Sequence, residues 1–268
     1  MLPRPARWLL VCLVGVLAAC APEATPLPAF IPTVPTDLPT TASPAPIRYA
    51  ILPESVGFVP DINRIAALAD VTELTEALTD DALDARYDLV AGYGERAGWQ
   101  LSPTRLHVTL VVNTTLPPLD QPNIAQILRQ SVNPESVIAG LGFVGAQPET
   151  IIEVSRAELR GALANAGFPD GFDVAFAHDM VPGVARVAEL LRALAVAPQT
   201  TLRAEDDPAA MEQFHLLLVG WTAPETRQAW VERAGDSNVI DLYSLPISYR
   251  AAEGLRVTFA PGGFPLPE

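Results

Sequence analysis

The 268-residue sequence contains no lysine. All 17 of its basic residues are arginine, set against 31 acids, for a formal net charge of −14. Without lysine, Schiff-base chemistry and a Walker-type phosphate-binding lysine are excluded. A surface of this sign repels phosphate backbones, which argues against nucleic acid as a partner. Cysteine is limited to Cys12 and Cys20, and histidine to His107, His178 and His215. The histidines never stand four apart or beside a second ligand type, and no cysteine pair can hold a metal, so neither a metal site nor a cofactor is expected. No G-x-G-x-x-G, G-x-x-x-x-G-K-[ST] or G-x-S-x-G motif occurs. Adjacent acids do occur, at Asp80-Asp81 and Glu205-Asp206-Asp207. Each group opens a helical pattern, where carboxylates offset the positive end of the helix dipole. Nothing here argues for catalysis, and the expectation is a protein that is not an enzyme.

Long apolar runs are also missing. The N-terminal one, Trp8 to Ala19, follows Arg4 and Arg7 and falls short of the roughly 20 residues a spanning helix needs. A basic start, a short apolar middle and small residues make an export signal over residues 1–19. The run ends in Leu17-Ala18-Ala19-Cys20, which resembles the bacterial lipoprotein lipobox. That resemblance implies cleavage before Cys20, diacylglycerol on its thiol and acylation of the new N-terminus. Such chains tether a protein to a membrane without crossing it. The folded part is then expected outside the cytoplasm, periplasmic or on the outer cell surface. Residues 20–46 read as a tether: eight prolines lie between Ala21 and Pro46, with too little apolar surface to offset ordering.

From Ile47 onward the chain alternates strand and helix patterns. Ile47 to Leu52 reads as a buried strand ended by Pro53, "DINRIAALA" as a helix and "VTELTEAL" as a second strand. "TDDALDA" starts a helix, and "YDLVAGY" is a strand ending in glycine. "RLHVTLVVNTT" is the longest strand candidate, and "NIAQILRQSV" and "AELRGALANAGF" are helices. A second alternating unit comprises "FDVAFAH", "GVARVAELLRALAV", "TTLRAE", the turn "DPAAMEQ", and "FHLLLVGW". "VIDLYSLPISYR" is a late strand with a short tail. This is the grammar of an α/β fold in two lobes, each a mostly parallel sheet with flanking helices. A cleft between such lobes is where ligands tend to bind.

Several blocks carry a family resemblance. They are "VTLVVNTTLPPLDQPNIAQILRQSVNPESVIAGL", "SRAELRGALANAGFPDGFDVAFAHDMVPGVARVAELLRALAV", "FHLLLVGWTA" and "VIDLYSLPISYRAAEGLRVTF". In this order they are similar to passages of the extracytoplasmic oligopeptide- and dipeptide-binding proteins of ABC importers, a family of periplasmic-binding-protein type II fold. Known members are near twice this length. The family's acid after the tryptophan falls on Pro224 here, with Glu225 next to it, and its base before the tryptophan falls on Leu218.

The resemblance implies lobe 1 from residues 47–105 and 239–268 and lobe 2 from 106–238, hinged near 106–113 and 239–245. It implies capture of a small solute, peptide-like or other, by a monomer that serves an ABC permease and ATPase. The expected contacts are Gly220, Trp221 and Thr222 at one strand end, Asn113 and Thr114 where the long strand enters lobe 2, and Tyr93, Glu54 and Ser55 at first-lobe strand ends. The alternative is a scaffold or sensor domain of the same fold with no transport role.

Overall fold

In a computed structural model the described residues are 45–152, 155–193, 200–204 and 213–268. The expected signal, Cys20, the tether and most of the turn at 207–213 lie outside them.

The first unit follows its sequence pattern closely. Strand β1 (Arg48–Ile51) stops before Pro53, which opens a single 3₁₀ turn over Pro53–Ser55. Helix α1 (Ile62–Ala66), strand β2 (Asp70–Glu73), helix α2 (Asp80–Arg86) and strand β3 (Leu89–Tyr93) follow. The Thr79 hydroxyl caps α2 by accepting the Ala82 N–H at 3.4 Å, and Asp80 and Asp81 occupy the first turn.

The middle departs from the sequence pattern at three points. Strand β4 (Gln100–Val112) starts ahead of the expected Arg105, because Pro103 hides its beginning. Lacking an N–H, Pro103 coincides with a register shift between Leu101 and Arg105. After helix α3 (Pro122–Ser131) comes a separate helix α4 (Pro134–Leu141), capped by Asn133 and closed by Gly142 at φ +72°. A short strand β5 (Gln147–Pro148) then precedes α5 (Arg156–Asn165), β6 (Val174–His178), α6 (Val184–Ala193), β7 (Thr200–Ala204) and β8 (Leu216–Trp221). Helix α7 (Pro224–Ala234) fills the span between the "FHLLLVGW" and "VIDLYSLPISYR" patterns. It buries no residue, so no apolar stripe announces it in the sequence. Strand β9 (Val239–Ala251) and the hairpin β10 (Val257–Phe259) and β11 (Pro265–Pro267) complete the chain.

The main sheet is ordered β2-β1-β3-β9-β4-β8-β6-β7, with β5 also on β9. Strands β2, β1 and β3 are mutually parallel and form wing one. Strands β8, β6 and β7 are likewise parallel and form wing two. Between them β9 and β4 run antiparallel to each other and to their neighbours. The two wings therefore point in opposite directions. β3 ends with Tyr93 opposite Ile247, while β8 ends with Trp221 opposite His107, which itself faces Ser244. At ~3.4 Å per residue, the carboxyl ends of the two wings meet within about 10 Å along β9. Pairing also makes β9 a shared strand: residues 239–246 pair with β4, whose residues 107–112 pair in turn with β8 of wing two, and 247–251 pair with β3 of wing one.

One face of the sheet carries the main core. Leu106, Val108, Leu110 and Val112 alternate inward from β4, meeting Ile124 and Leu128 of α3, Leu159 and Leu163 of α5, and Val187 and Leu191 of α6. Val111, Leu217 and Val219 turn to the opposite face, where Trp230 of α7 leans on them. On wing one the same opposite face is closed by Leu74, Leu83 and Trp99 over Ala50, Leu52 and Val90.

Candidate functional site

An open groove of about 370 Å³ lies where wing one ends against wing two. On the wing-one side, Gly92 lets the turn after β1 come close. A Cβ at Gly92 would sit 2.8 Å from the Leu52 side chain and 2.9 Å from the Ser55 hydroxyl. The Ser55 hydroxyl accepts the Tyr93 N–H at 2.8 Å, tying the two strand ends together. Tyr93 is buried, donates its hydroxyl to the Phe58 carbonyl at 2.7 Å and meets Phe143 and Phe264 edge-on. Burial raises its hydroxyl pKa above the usual tyrosine range. Glu54 faces the groove and accepts from the Arg96 guanidinium at 2.5 Å. Arg96 is in turn held 5.3 Å above the Trp99 ring, whose N–H donates to Asp80 at 3.3 Å.

Leu141, Gly142, Phe143 and Val144 form the other wall. Val144 is 66% exposed, an apolar side chain left open to solvent beside Glu95. The walls touch through backbone, where the Glu95 N–H donates to the Val144 carbonyl at 2.8 Å, while the Gly94 N–H, donating to the Pro246 carbonyl at 2.8 Å, extends the pairing of β3 with β9. An ion pair, a second carboxylate and an apolar wall suit reversible retention of a small molecule with both polar and apolar parts.

The expected contacts fall into three places. Glu54, Ser55 and Tyr93 come together at the groove. Gly220, Trp221 and Thr222 lie at the carboxyl end of β8, on the wing-two side of the meeting point. Trp221 stacks on His107 with centroids 4.1 Å apart, and its indole N–H donates to the Thr109 hydroxyl at 2.8 Å. Thr109 passes the chain on to Asp241 at 2.8 Å, and Asp241 accepts from Arg227 of α7 at 2.7 Å. His107 also meets the Glu149 carboxylate at 2.5 Å. Gly220 is required because a Cβ there would lie 2.5 Å from Val181. The Thr222 hydroxyl donates to the Pro261 carbonyl at 2.5 Å.

Asn113 and Thr114 lie elsewhere. Asn113 directly follows β4 and is six residues beyond His107, about 20 Å along an extended strand. Its amide donates to the Phe214 carbonyl at 3.1 Å, and its side-chain oxygen accepts from the Thr115 N–H at 3.0 Å and hydroxyl at 2.7 Å. The Thr114 hydroxyl accepts from Asn238 at 3.3 Å. These two residues build the turn at the amino end of β8 and share no small site with Trp221.

The sequence patterns do not point to Glu95, Phe143, Val144 or, the one that makes the ion pair, Arg96. Its available signal is a charge just past a strand end in "GERAGW", the position where α/β sheets hold ligands. His215 is structural: Nδ1 accepts the Ala175 N–H at 3.0 Å, which leaves Nε2–H to donate to the Pro117 carbonyl at 3.0 Å. Among the described residues, no group of three or more His, Cys, Asp or Glu is gathered as for a metal ion. None of the described helices is long and apolar enough to cross a membrane.

No family model and no curated protein matches the chain. Solved structures do. OppA of Haemophilus influenzae in complex with RPPGFSPFR is 10% identical with a TM-score of 0.49, over 69% of this chain and 54% of that one. The dipeptide-binding protein of Pseudoalteromonas sp. SM9913 in complex with Met-Leu is 12% identical with a TM-score of 0.49, over 73% and 56%. NikZ from Campylobacter jejuni in complex with Ni(L-His) is 12% identical with a TM-score of 0.48, over 72% and 59%. The chain thus spans little more than half the length of these structures, and its neighbours in structure are extracytoplasmic binding proteins of oligopeptides, dipeptides and other solutes.

Proposed function

We propose that residues 45–268 are the folded part of a lipid-anchored, extracytoplasmic binding protein that captures a small solute for an ABC permease and its ATPase. One observation carries the proposal: two parallel wings meet head-on, carboxyl end to carboxyl end, on strands that both wings share. In open α/β sheets ligands bind beyond the carboxyl ends of strands, and here both sets of ends converge on one groove. Glu54 and Arg96, backed by the buried Tyr93, contact the solute from one side and Phe143 and Val144 from the other, with Trp221 at the margin of wing two. The wings act as the two lobes, and β4 and β9 flex between them as hinges. The acyl chains on Cys20 hold the protein at the membrane, and the proline-rich tether lifts the wings clear of it.

The test is thermal unfolding against peptides, dipeptides, amino acids, sugars and metal–amino-acid complexes. Occupancy at a hundredfold excess over Kd adds about 2.7 kcal/mol, so a bound compound shifts the transition upward, and Arg96→Ala abolishes that shift. No shift across the whole set favours the second reading, a scaffold or sensor domain without transport. That reading has its own observation, the direct Glu95–Val144 bond between the groove walls. Anchoring is checked separately: Cys20→Ser releases the protein from membranes.

A further inference from the structure

The turn between β10 and β11 touches wing one, wing two and a shared strand within four consecutive residues. The Pro261 carbonyl accepts from the Thr222 hydroxyl at the end of β8. The Gly262 N–H donates to the Asp61 carboxylate at 2.7 Å, at the start of α1 in wing one. The Gly263 carbonyl accepts from the Ser102 hydroxyl of β4 at 2.7 Å. Phe264 is buried and meets Tyr93 edge-on with centroids 5.2 Å apart.

We propose that this turn is a latch that holds the two wings in their observed arrangement. Residues 261 and 262 are adjacent, so the Pro261–Thr222 and Gly262–Asp61 bonds cannot both survive a rotation of one wing against the other. Each is a single hydrogen bond to one side chain, on the partly exposed Thr222 and Asp61, although Gly262 itself is buried. The segment behind the turn is held by more than single hydrogen bonds. Phe264 and the strand Pro265–Pro267 are buried, and the Glu268 N–H donates to the Arg256 carbonyl at 3.1 Å. Release therefore frees the turn without detaching the hairpin. The glycines are part of the device: a Cβ at Gly262 would collide with the Asp61 carboxylate, and Gly263 adopts φ +82°. The Thr222 hydroxyl, which sequence position alone offers to a ligand, is committed to this contact.

The latch acts in the ligand-free chain, so its test is independent of whether a solute binds. The reporter is the Glu95 amide, whose bond to the Val144 carbonyl crosses the groove; amides inside β3 and β8 are the references. Amide hydrogen exchange is followed by NMR on the full chain and on Thr222→Val, Asp61→Ala and the double variant. With two hydrogen bonds lost, the double variant exchanges Glu95 about tenfold faster or more, while the references stay within about twofold. Thr222→Ser, which keeps the hydroxyl, exchanges like the parent. Unchanged Glu95 exchange overturns the latch, and so does an equal acceleration at Glu95 and in β3 and β8, which reports general loss of stability. If Asp61→Ala does not fold, Thr222→Val and Gly262→Ala supply the same comparison, since the added methyl forces the turn from Asp61.

Discussion

The two wings are built from the same strand order but stabilised differently. Wing one packs its parallel strands with helices of five and seven residues, too short to cover a sheet face. Its outer face is closed by Leu83 of α2 together with Leu74 and Trp99 from the connections, and its rim by ion pairs: Arg48 with Asp88, and Arg250 with Asp80 and Asp84. Wing two lies under ten-residue helices, α3, α5 and α6, and its polar bonds concentrate at the seam in the run Trp221–Thr109–Asp241–Arg227. Exposed ion pairs contribute little and are screened by salt, whereas partly buried, linked hydrogen bonds support one another. Wing one is therefore the cheaper of the two to reshape at its rim, and the groove residues Glu54, Glu95 and Arg96 sit there.

The strongest way to break this comparison is to remove one large core side chain from each wing. Phe176→Ala in β6 is expected to cost about 3–5 kcal/mol and Ile51→Ala in β1 about 2–5 kcal/mol, read from urea unfolding. Because β4 and β9 belong to both wings, each variant should shift one common transition. Two separate transitions would show that the wings fold as independent bodies.

At the seam, Arg227→Ala leaves Asp241 with the Thr109 hydroxyl but without its charge partner. A loss of about 1–3 kcal/mol is expected, larger than for any single rim ion pair in wing one. A loss no greater than that of Arg48→Ala would erase the contrast. Trp221→Phe keeps the stack on His107 and removes only the indole donor to Thr109. About 0.5–1.5 kcal/mol should be lost, with no change in fold by circular dichroism.

The smallest effect belongs to the wing-one rim. Hydrogen bonds from Arg48, side chain first and then backbone, hold the Asp88 carboxyl below the usual carboxylate range. A carboxyl whose folded pKa is depressed stabilises the fold above its unfolded pKa and ceases to do so as pH falls through the folded value. Asp88→Asn should thus lower the melting temperature slightly at neutral pH, and the difference from the parent should vanish in acid. High salt should shrink it too.

Legibility from sequence followed the source of each element's stability. β6, α6 and β8 were legible because their apolar residues recur at strand or helix spacing and are buried to match. α7 was not, because none of its residues is fully buried: it is held by the partly buried Trp230 against Val111, Leu217 and Val219 and by Arg227 on Asp241, with Pro224 in its first turn. The hairpin β10–β11 read only as a tail, since its strands are three residues each and half proline or glycine around the turn. Strand ends point to Glu54 and Tyr93, whereas Arg96 acquires its place from Glu54, 42 residues away, and from the Trp99 ring. Asn113 follows the other end of β4, away from the groove.

The sequence by itself determined the kinds of element, the two α/β units and the two long strands, because side-chain period and chain-breaking residues act within a few positions. It also excluded lysine chemistry and cysteine metal sites by composition alone. Only the tertiary structure decided that the two parallel units face one another by their carboxyl ends. That arrangement depends on β9 pairing antiparallel with both β3 and β4, a choice of register made by burying both strand faces at once. The contacts between Glu54 and Arg96 and between Pro261 and Thr222 result from that register, over separations at which local propensity carries no information.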